Sequence, residues 1–362
     1  MGEGLAGPGG MPHDTQRISI AEGPVPNIAK IVACLFAVSA LIAPRLAAAW
    51  GATGHRLIGR LAIEALPSTL PAFLQSPTAA FAIGELAREP DRWKGAGQPH
   101  DGDLDPGHFL DLGDDGRIFG GPSLADLPPN RQAYETALRE VGVSQWQVGY
   151  LPYSIIEGWQ QLAKDFAYWR VESFAARSVA DPRHRAWIAA DAARRESLIM
   201  RDMGVLAHYV GDGSQPLHVT EHFNGWGPFP NPQGFTQDKV HAAFEGAFVR
   251  ANVHAADVRA VMAPYHDCAC SIRSRTITYL EQTNSKVETF YRLQKAGAFA
   301  DGDARGQAFA ARRLAAGADE LRDLIVDAWK ASAAGEVGYP ALKVRDVLGG
   351  GVDPYDSLYG LD

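Results

Sequence analysis

The sequence predicts an all-α protein: one helical-bundle domain with long loops. Two observations carry this. Apolar residues recur at spacings of three and four in several long stretches, while alternating apolar runs of strand length are few. The stretches between the helical ones are rich in Gly, Pro and Asp, which favour loops.

The elements follow in chain order. Ile31 to Ile42 is a run of 12 residues, apolar but for Ser39, preceded by Lys30. A bilayer span needs about 20 residues, so this run fits the core of an export signal. Ala47 and Ala49 supply the small residues a signal peptidase needs, which predicts cleavage at Ala49/Trp50 and a signal peptide over residues 1–49. Ala52–Leu66 places Leu57, Ile58, Ala62 and Leu66 on one stripe. Further helices are predicted over Trp159–Arg177, Ala186–Val210 and Ala310–Ala333. Loops are predicted at Gly95–Gly107, Asp111–Pro129 and Asn224–Gly234. The domain then spans residues 50–340, and 341–362 form an irregular tail. The aromatic residues Trp146, Tyr150, Tyr153, Trp159, Phe166, Tyr168 and Trp169 read first as packing residues, and second as a rim for lipid or bases.

Composition excludes other classes. Among 362 residues, 46% are apolar and 21% charged, an ordinary globular mix rather than a disordered or coiled-coil one. The net charge is -8, and residues 1–49 contain three acidic and three basic residues, so the remainder keeps that charge. A broad basic face for nucleic acid is excluded. Bound metal ions could still supply local positive charge for an anionic substrate. After cleavage only Cys268 and Cys270 remain, either as a small-ring disulfide or as two thiols.

The chemistry gathers on histidines and carboxylates. His208 and Asp212 are four apart on one helix face, and Gly213 and Pro216 are expected to turn the chain so that His218 returns to the same centre. His241 and Glu245 form a second such pair. His108, Asp91 and His55 complete the set, with His55 five residues after the predicted new N-terminus at Trp50. Imidazoles with carboxylates suit zinc. A free α-amine, with an ordinary pKa of about 7.7–8, yields its proton to a metal at little cost. His100, His184, His222, His254 and His266 lack patterned partners and read as surface or core residues.

Two stretches, Trp50-Gly-x-x-Gly-His55 and His208-Tyr-Val-Gly-Asp212-x-x-Gln215-Pro216-Leu217-His218, resemble the phospholipase C/P1 nuclease superfamily of trinuclear zinc phosphodiesterases. The resemblance covers most of the chain from Trp50 to about Val249. It implies three zinc ions per chain. Trp50, through its amine and carbonyl, and His55 would hold one, with Asp212 bridging to a second held by Asp91, His108 and His208. His218, His241 and Glu245 would hold the third. It implies hydrolysis of a phosphodiester by water activated between the bridged ions, with Asp91 orienting it or taking its proton. Lys94 stands three residues after Asp91, where nuclease members carry Arg, and Arg92 follows Asp91 directly; either could serve the phosphate oxygens.

Within the superfamily, the Trp50–His55 spacing is similar to the nuclease branch, with Phe109 as a stacking face and Asp111 as a contact for a base edge. Glu245 and Pro232-Gln233-Gly234-Phe235 are similar to the phospholipase branch. The preferred expectation is an exported, periplasmic or secreted, monomeric nuclease of single-stranded DNA or RNA with no stable protein partner. The alternatives are a phospholipase C acting on phospholipid head groups and an exported protein in which zinc only staples the helices.

Overall fold

Thirty-three residues, Pro182–Ser214, form the longest helix among the described residues of the computed structural model, and the other long helices pack around it. The structure describes residues 50–94 and 104–360. The predicted signal peptide, His100 and most of the Gly95–Gly107 loop lie outside the described residues.

Among the described residues the helices are α1 (Ala52–Glu64), α2 (Pro77–Leu86), α3 (Glu89–Trp93), α4 (Arg131–Glu140), α5 (Gln145–Val148), α6 (Leu151–Ser178), α7 (Pro182–Ser214), α8 (Val249–Asn252), α9 (Ala255–Arg259), α10 (Ile272–Asn284), α11 (Val287–Lys295), α12 (Ala304–Ser332), α13 (Val344–Leu348) and α14 (Tyr355–Tyr359). Short 3-10 turns occupy Asp105–His108 and Pro216–His218, and a π-helical turn occupies Ala243–Phe248. Helix accounts for 64% and strand for 3%, so the protein is all-α. No helix among the described residues is long and apolar enough to cross a membrane.

Local chemistry sets the ends. The Asp181 carboxylate accepts the Arg183 amide of α7 at 2.7 Å, and Pro182 takes a position whose amide has no helical partner. Asp303 caps α12 through the Arg305 amide at 2.9 Å. Helix α6 begins eight residues before the predicted Trp159, because Pro152 fits a first turn and the Tyr150 amide is taken by the Pro106 carbonyl at 2.9 Å. Helix α7 runs through Gly213 to Ser214, so Gly213 does not end it. Extended Gln215 followed by Pro216 does. Packing overrides glycine's low helix propensity there, since a Cβ at Gly213 would meet the Tyr279 ring at 2.8 Å.

The core sits where α1, α6, α7 and α12 meet, filled by Ile58, Leu61, Leu162, Leu206, Val210, Leu314 and Leu321, all buried. α1 and α2 cross closely at Gly59 and Gly84, where a side chain on Gly84 would strike the Arg56 carbonyl at 2.9 Å. The aromatic residues of α6 mostly pack: Tyr153 and Phe166 are buried, and Trp159 donates to the Leu324 carbonyl at 3.0 Å. Trp146, 40% exposed, is the outward one.

The tail is not irregular. Glu336–Val337 and Leu342–Lys343 form a small antiparallel hairpin, and Val337, Val344 and Val347 are buried against Val171 of α6. Three valines spaced across a turn and one helical turn are too short a pattern to register as periodicity. Cys268 and Cys270 are joined as a disulfide.

Between α6 and α7 the Glu172 carboxyl is fully buried without a hydrogen-bond partner, 3.9 Å from Arg195 Nε. Burial pushes its pKa up to about 8, against the partial pull of Arg195. The sign follows. Between about pH 4.5 and 8 the unfolded chain has ionised this carboxyl while the fold keeps it protonated. Stability attributable to Glu172 therefore falls as pH rises, by up to about 1.4 kcal/mol per pH unit. Glu172→Gln is expected to flatten that slope and to raise the melting temperature at pH 8 more than at pH 5. Melting curves across pH check it; equal shifts at both pH values would count against it.

Candidate metal centre

Two groups of side chains adjoin beneath the N-terminus of α1. In the first, Asp212 of α7 is fully buried. Its Oδ2 lies 3.0 Å from His108 Nδ1 and 3.3 Å from His208 Nε2, and its Oδ1 lies 3.5 Å from His55 Nε2. Asp91 Oδ1 approaches His208 Nε2 at 3.9 Å. The His55 and His208 rings stack with centroids 4.0 Å apart. In the second, His218 Nε2 lies 3.6 Å and His241 Nε2 2.9 Å from Glu245 Oε2.

The folding explains these positions. His208 and Asp212, one turn apart on α7, share a face as the sequence predicted. Gly211 between them leaves room for His55, whose Nδ1 would lie 3.0 Å from any Cβ there. The 3-10 turn after Pro216 brings His218 back, and the His108 carbonyl accepts its Nδ1–H at 2.7 Å. Glu245 lies in the wide π turn Ala243–Phe248, and His241 lies just ahead of it, so a spacing of four is close to one full turn.

Second partners fix the ring tautomers. His208 donates Nδ1–H to the Ala87 carbonyl at 2.8 Å, one of the groups left open at the end of α2. His208 and His218 therefore turn their Nε2 atoms towards carboxylates and other imidazoles. This is the backing arrangement usual for metal-bound histidine. Gln215 Nε2 donates to Glu245 Oε2 at 3.3 Å.

Six buried atoms of this set have no hydrogen-bond partner: both His55 nitrogens, Asp212 Oδ1, His218 Nε2, His241 Nε2 and Glu245 Oε1. Buried polar atoms are almost always satisfied. Imidazole nitrogens and carboxylate oxygens converging without partners in a closed space fit cations at their common foci, so the residues present fit the zinc ions the resemblance implies. Three groups have all their ligand atoms within 4.8 Å of one another: His55, Asp91 and His208; His108, His208 and Asp212; His218, His241 and Glu245. The last is the predicted trio for the third zinc. His55 is grouped with Asp91 and His208 as well as lying near Asp212, so the first two predicted sets interlock.

Electrostatics agree with this packing. Burial lowers the pKa of His55 well below its ordinary value and that of His108 to about 4. Burial would raise Asp212, but His208, His218 and the hydrogen bond from His108 outweigh it and hold the carboxyl well below its usual range. Burial would lower His218, but Asp212 and Glu245 lift it to about 9.

Trp50 is fully buried. Its indole donates to Ser214 Oγ at 2.8 Å, and its ring lies 5.6 Å from Phe244. A Cβ on Gly51 would stand 3.2 Å from the Glu245 carbonyl. The chain at Trp50 is thus held between the end of α7 and the π turn. Asp91 and Lys94 are the open side of the centre, with side chains 28% and 20% exposed and Lys94 Nζ 2.7 Å from Asp91 Oδ1. Arg92 pairs with Glu89 instead, half exposed.

Phe109 and Asp111 differ from expectation. They are 8% and 2% exposed. Phe109 is pressed onto Gly149, where a Cβ would meet the ring at 2.8 Å, and the Asp111 amide is bonded to the Val148 carbonyl at 2.8 Å. The segment is clamped between Val148–Leu151 and His218, and neither residue offers an open stacking face or base contact. The sequence reading also missed Ser214, which anchors Trp50, and Arg313, which donates to the Ser214 carbonyl at 2.9 Å. Only Gln215 carried a signal, inside the motif between Asp212 and His218. His222 was read as unpatterned, yet it lies buried beside Asp114 and Glu221. His184 meets Asp353 at 2.9 Å and stacks on Tyr355. No protein-family model matches the chain, and no curated protein matches it.

Proposed function

We propose that this protein is an exported, zinc-dependent phosphodiesterase holding three zinc ions through Trp50, His55, Asp91, His108, His208, Asp212, His218, His241 and Glu245. The observation that supports it is the set of six unsatisfied buried atoms on five of these residues. When bound, the ions supply Lewis acidity and a local charge of +6 against a net chain charge of -8.

The protein's own residues do the rest. His208 and His218, with one nitrogen pinned to a carbonyl, keep their Nε2 atoms aimed inward. Asp91 is held below its usual pKa, with His208 and Lys94 outweighing its partial burial, so it is ionised at neutral pH. At the exposed side of the centre it can orient a water and take its proton at a carboxylate oxygen. Lys94 Nζ stands beside it to donate to a non-bridging phosphate oxygen. His218, His241 and Glu245 offer three side-chain ligands, one fewer than a closed tetrahedral site, which supports catalysis over mere stapling.

The first substrate class is single-stranded nucleic acid, on the Trp50–His55 spacing. Burial of Phe109 and Asp111 removes one support for it and favours the second reading, a phospholipase C acting on phospholipid head groups. Zinc-loaded protein beginning at Trp50, assayed on single-stranded DNA, RNA and phosphatidylcholine, decides between them. Nucleic-acid cleavage is expected. Lipid turnover alone would establish the second reading, and no turnover of any phosphodiester would sink both.

A further inference from the structure

Outside this centre, Asp114, Glu221 and His222 bring their ligand atoms within 4.8 Å of one another. The His222 ring is fully buried, stacked on Trp226 at 3.8 Å and met edge-on by Phe229 at 5.0 Å. Its backbone is fixed too, since the Tyr291 hydroxyl donates to the His222 carbonyl at 2.6 Å. The ring cannot turn without breaking this packing.

The tautomer is decided by one contact. His222 Nδ1 lies 2.7 Å from the Trp226 carbonyl, which can only accept, so Nδ1 carries a proton and donates it. Nε2 is thereby turned to Asp114 Oδ1, a carboxylate oxygen, with which it shares a 3.2 Å hydrogen bond. Glu221 adds a second carboxylate. Burial, and then the neighbouring Asp114 and Asp115 charges against the pull of His222, push its pKa up. A locked, buried imidazole sets Nε2 against Asp114, with Glu221 alongside. A cation at their shared focus satisfies all three groups.

We propose that Asp114, Glu221 and His222 form a separate divalent-cation site, for Zn²⁺ or Mn²⁺. One imidazole and two carboxylates suit these ions rather than the all-oxygen preference of Ca²⁺ or Mg²⁺. The Asp114 side chain is 69% exposed, so water completes the coordination and the ion exchanges more readily than those of the buried centre. The site shares no residue with that centre but is mechanically joined to it. The Leu110 amide bonds to the His218 carbonyl at 2.8 Å, and the Glu221 amide bonds to the Leu112 carbonyl at 3.1 Å. The ion clips the loop around Gly113–Gly116 to the segment that begins at His218.

The test is metal counting on stripped protein retitrated with Zn²⁺, and separately with Mn²⁺ followed by its electron paramagnetic resonance. Asp114→Asn and Glu221→Gln are each expected to lose one ion equivalent, the weakest, relative to wild type. His222→Gln should do the same but alters a buried ring. The exposed Asp114→Asn therefore carries the test, with circular dichroism verifying its fold. The loss should also appear in an Asp212→Asn background, which separates this site from the larger centre. Wild-type stoichiometry and affinity in both carboxylate variants would overturn the proposal. So would a His222 Nε2–H signal persisting in zinc-saturated protein, the mark of a plain imidazolium–carboxylate pair.

Discussion

Asp212→Asn is expected to bind two fewer zinc ions per chain than wild type and to lose phosphodiesterase activity by well over ~100-fold. The reasoning is geometric. One carboxylate faces His55 through Oδ1 and His108 and His208 through Oδ2, so two ions depend on its two oxygens. An amide keeps the shape but offers one neutral oxygen, and its NH₂ would point hydrogens at an imidazole lone pair. Altering groups that merely orient metal ligands typically costs 10–100-fold, so losing a shared ligand should cost more. His218, His241 and Glu245 are not bonded to Asp212, so the third ion should stay. Metal analysis by inductively coupled plasma mass spectrometry on dialysed protein measures this directly. A variant that keeps all its zinc would remove Asp212 from the bridging role.

How this centre was legible in the sequence follows from the reach of local geometry. His208 with Asp212, and His241 with Glu245, are adjacent on a helix surface whatever the rest of the chain does, so spacing alone placed each pair on one face. The long helices were legible for the same reason, because a periodic apolar stripe is a local property. The failures were contacts made by distant parts. Spacing could not show that Phe109 would be pressed onto Gly149, because that contact arises from the chain returning at Val148–Leu151. Asp114 sits on a loop, and only the pairing of Leu112 with Glu221 brings it to His222. Of the two residues expected to end the helix, Pro216 does so and Gly213 does not, because the tight contact with Tyr279 compensates glycine's propensity cost.

A form of the protein that keeps any residue before Trp50 is expected to lose one zinc ion and at least ~100-fold in activity, again taking the 10–100-fold cost of disturbing ligand support as a floor. The α-amine of Trp50 has a lone pair to give; once acylated, its nitrogen is a planar amide with none to spare. The indole would still be held by Ser214 Oγ and Phe244, so the fold should melt at nearly the same temperature. That separates ligation from folding. The converse variant is Trp50→Phe in a correctly processed chain, which keeps the amine and gives up the indole's bond to Ser214. It should retain zinc while losing about 1–2 kcal/mol of stability, the usual cost of a buried hydrogen bond removed from one side. If the extended form binds zinc and turns over substrate as the processed form does, Trp50 contributes packing alone. Its ion would then rest on His55 and Asp212 without it.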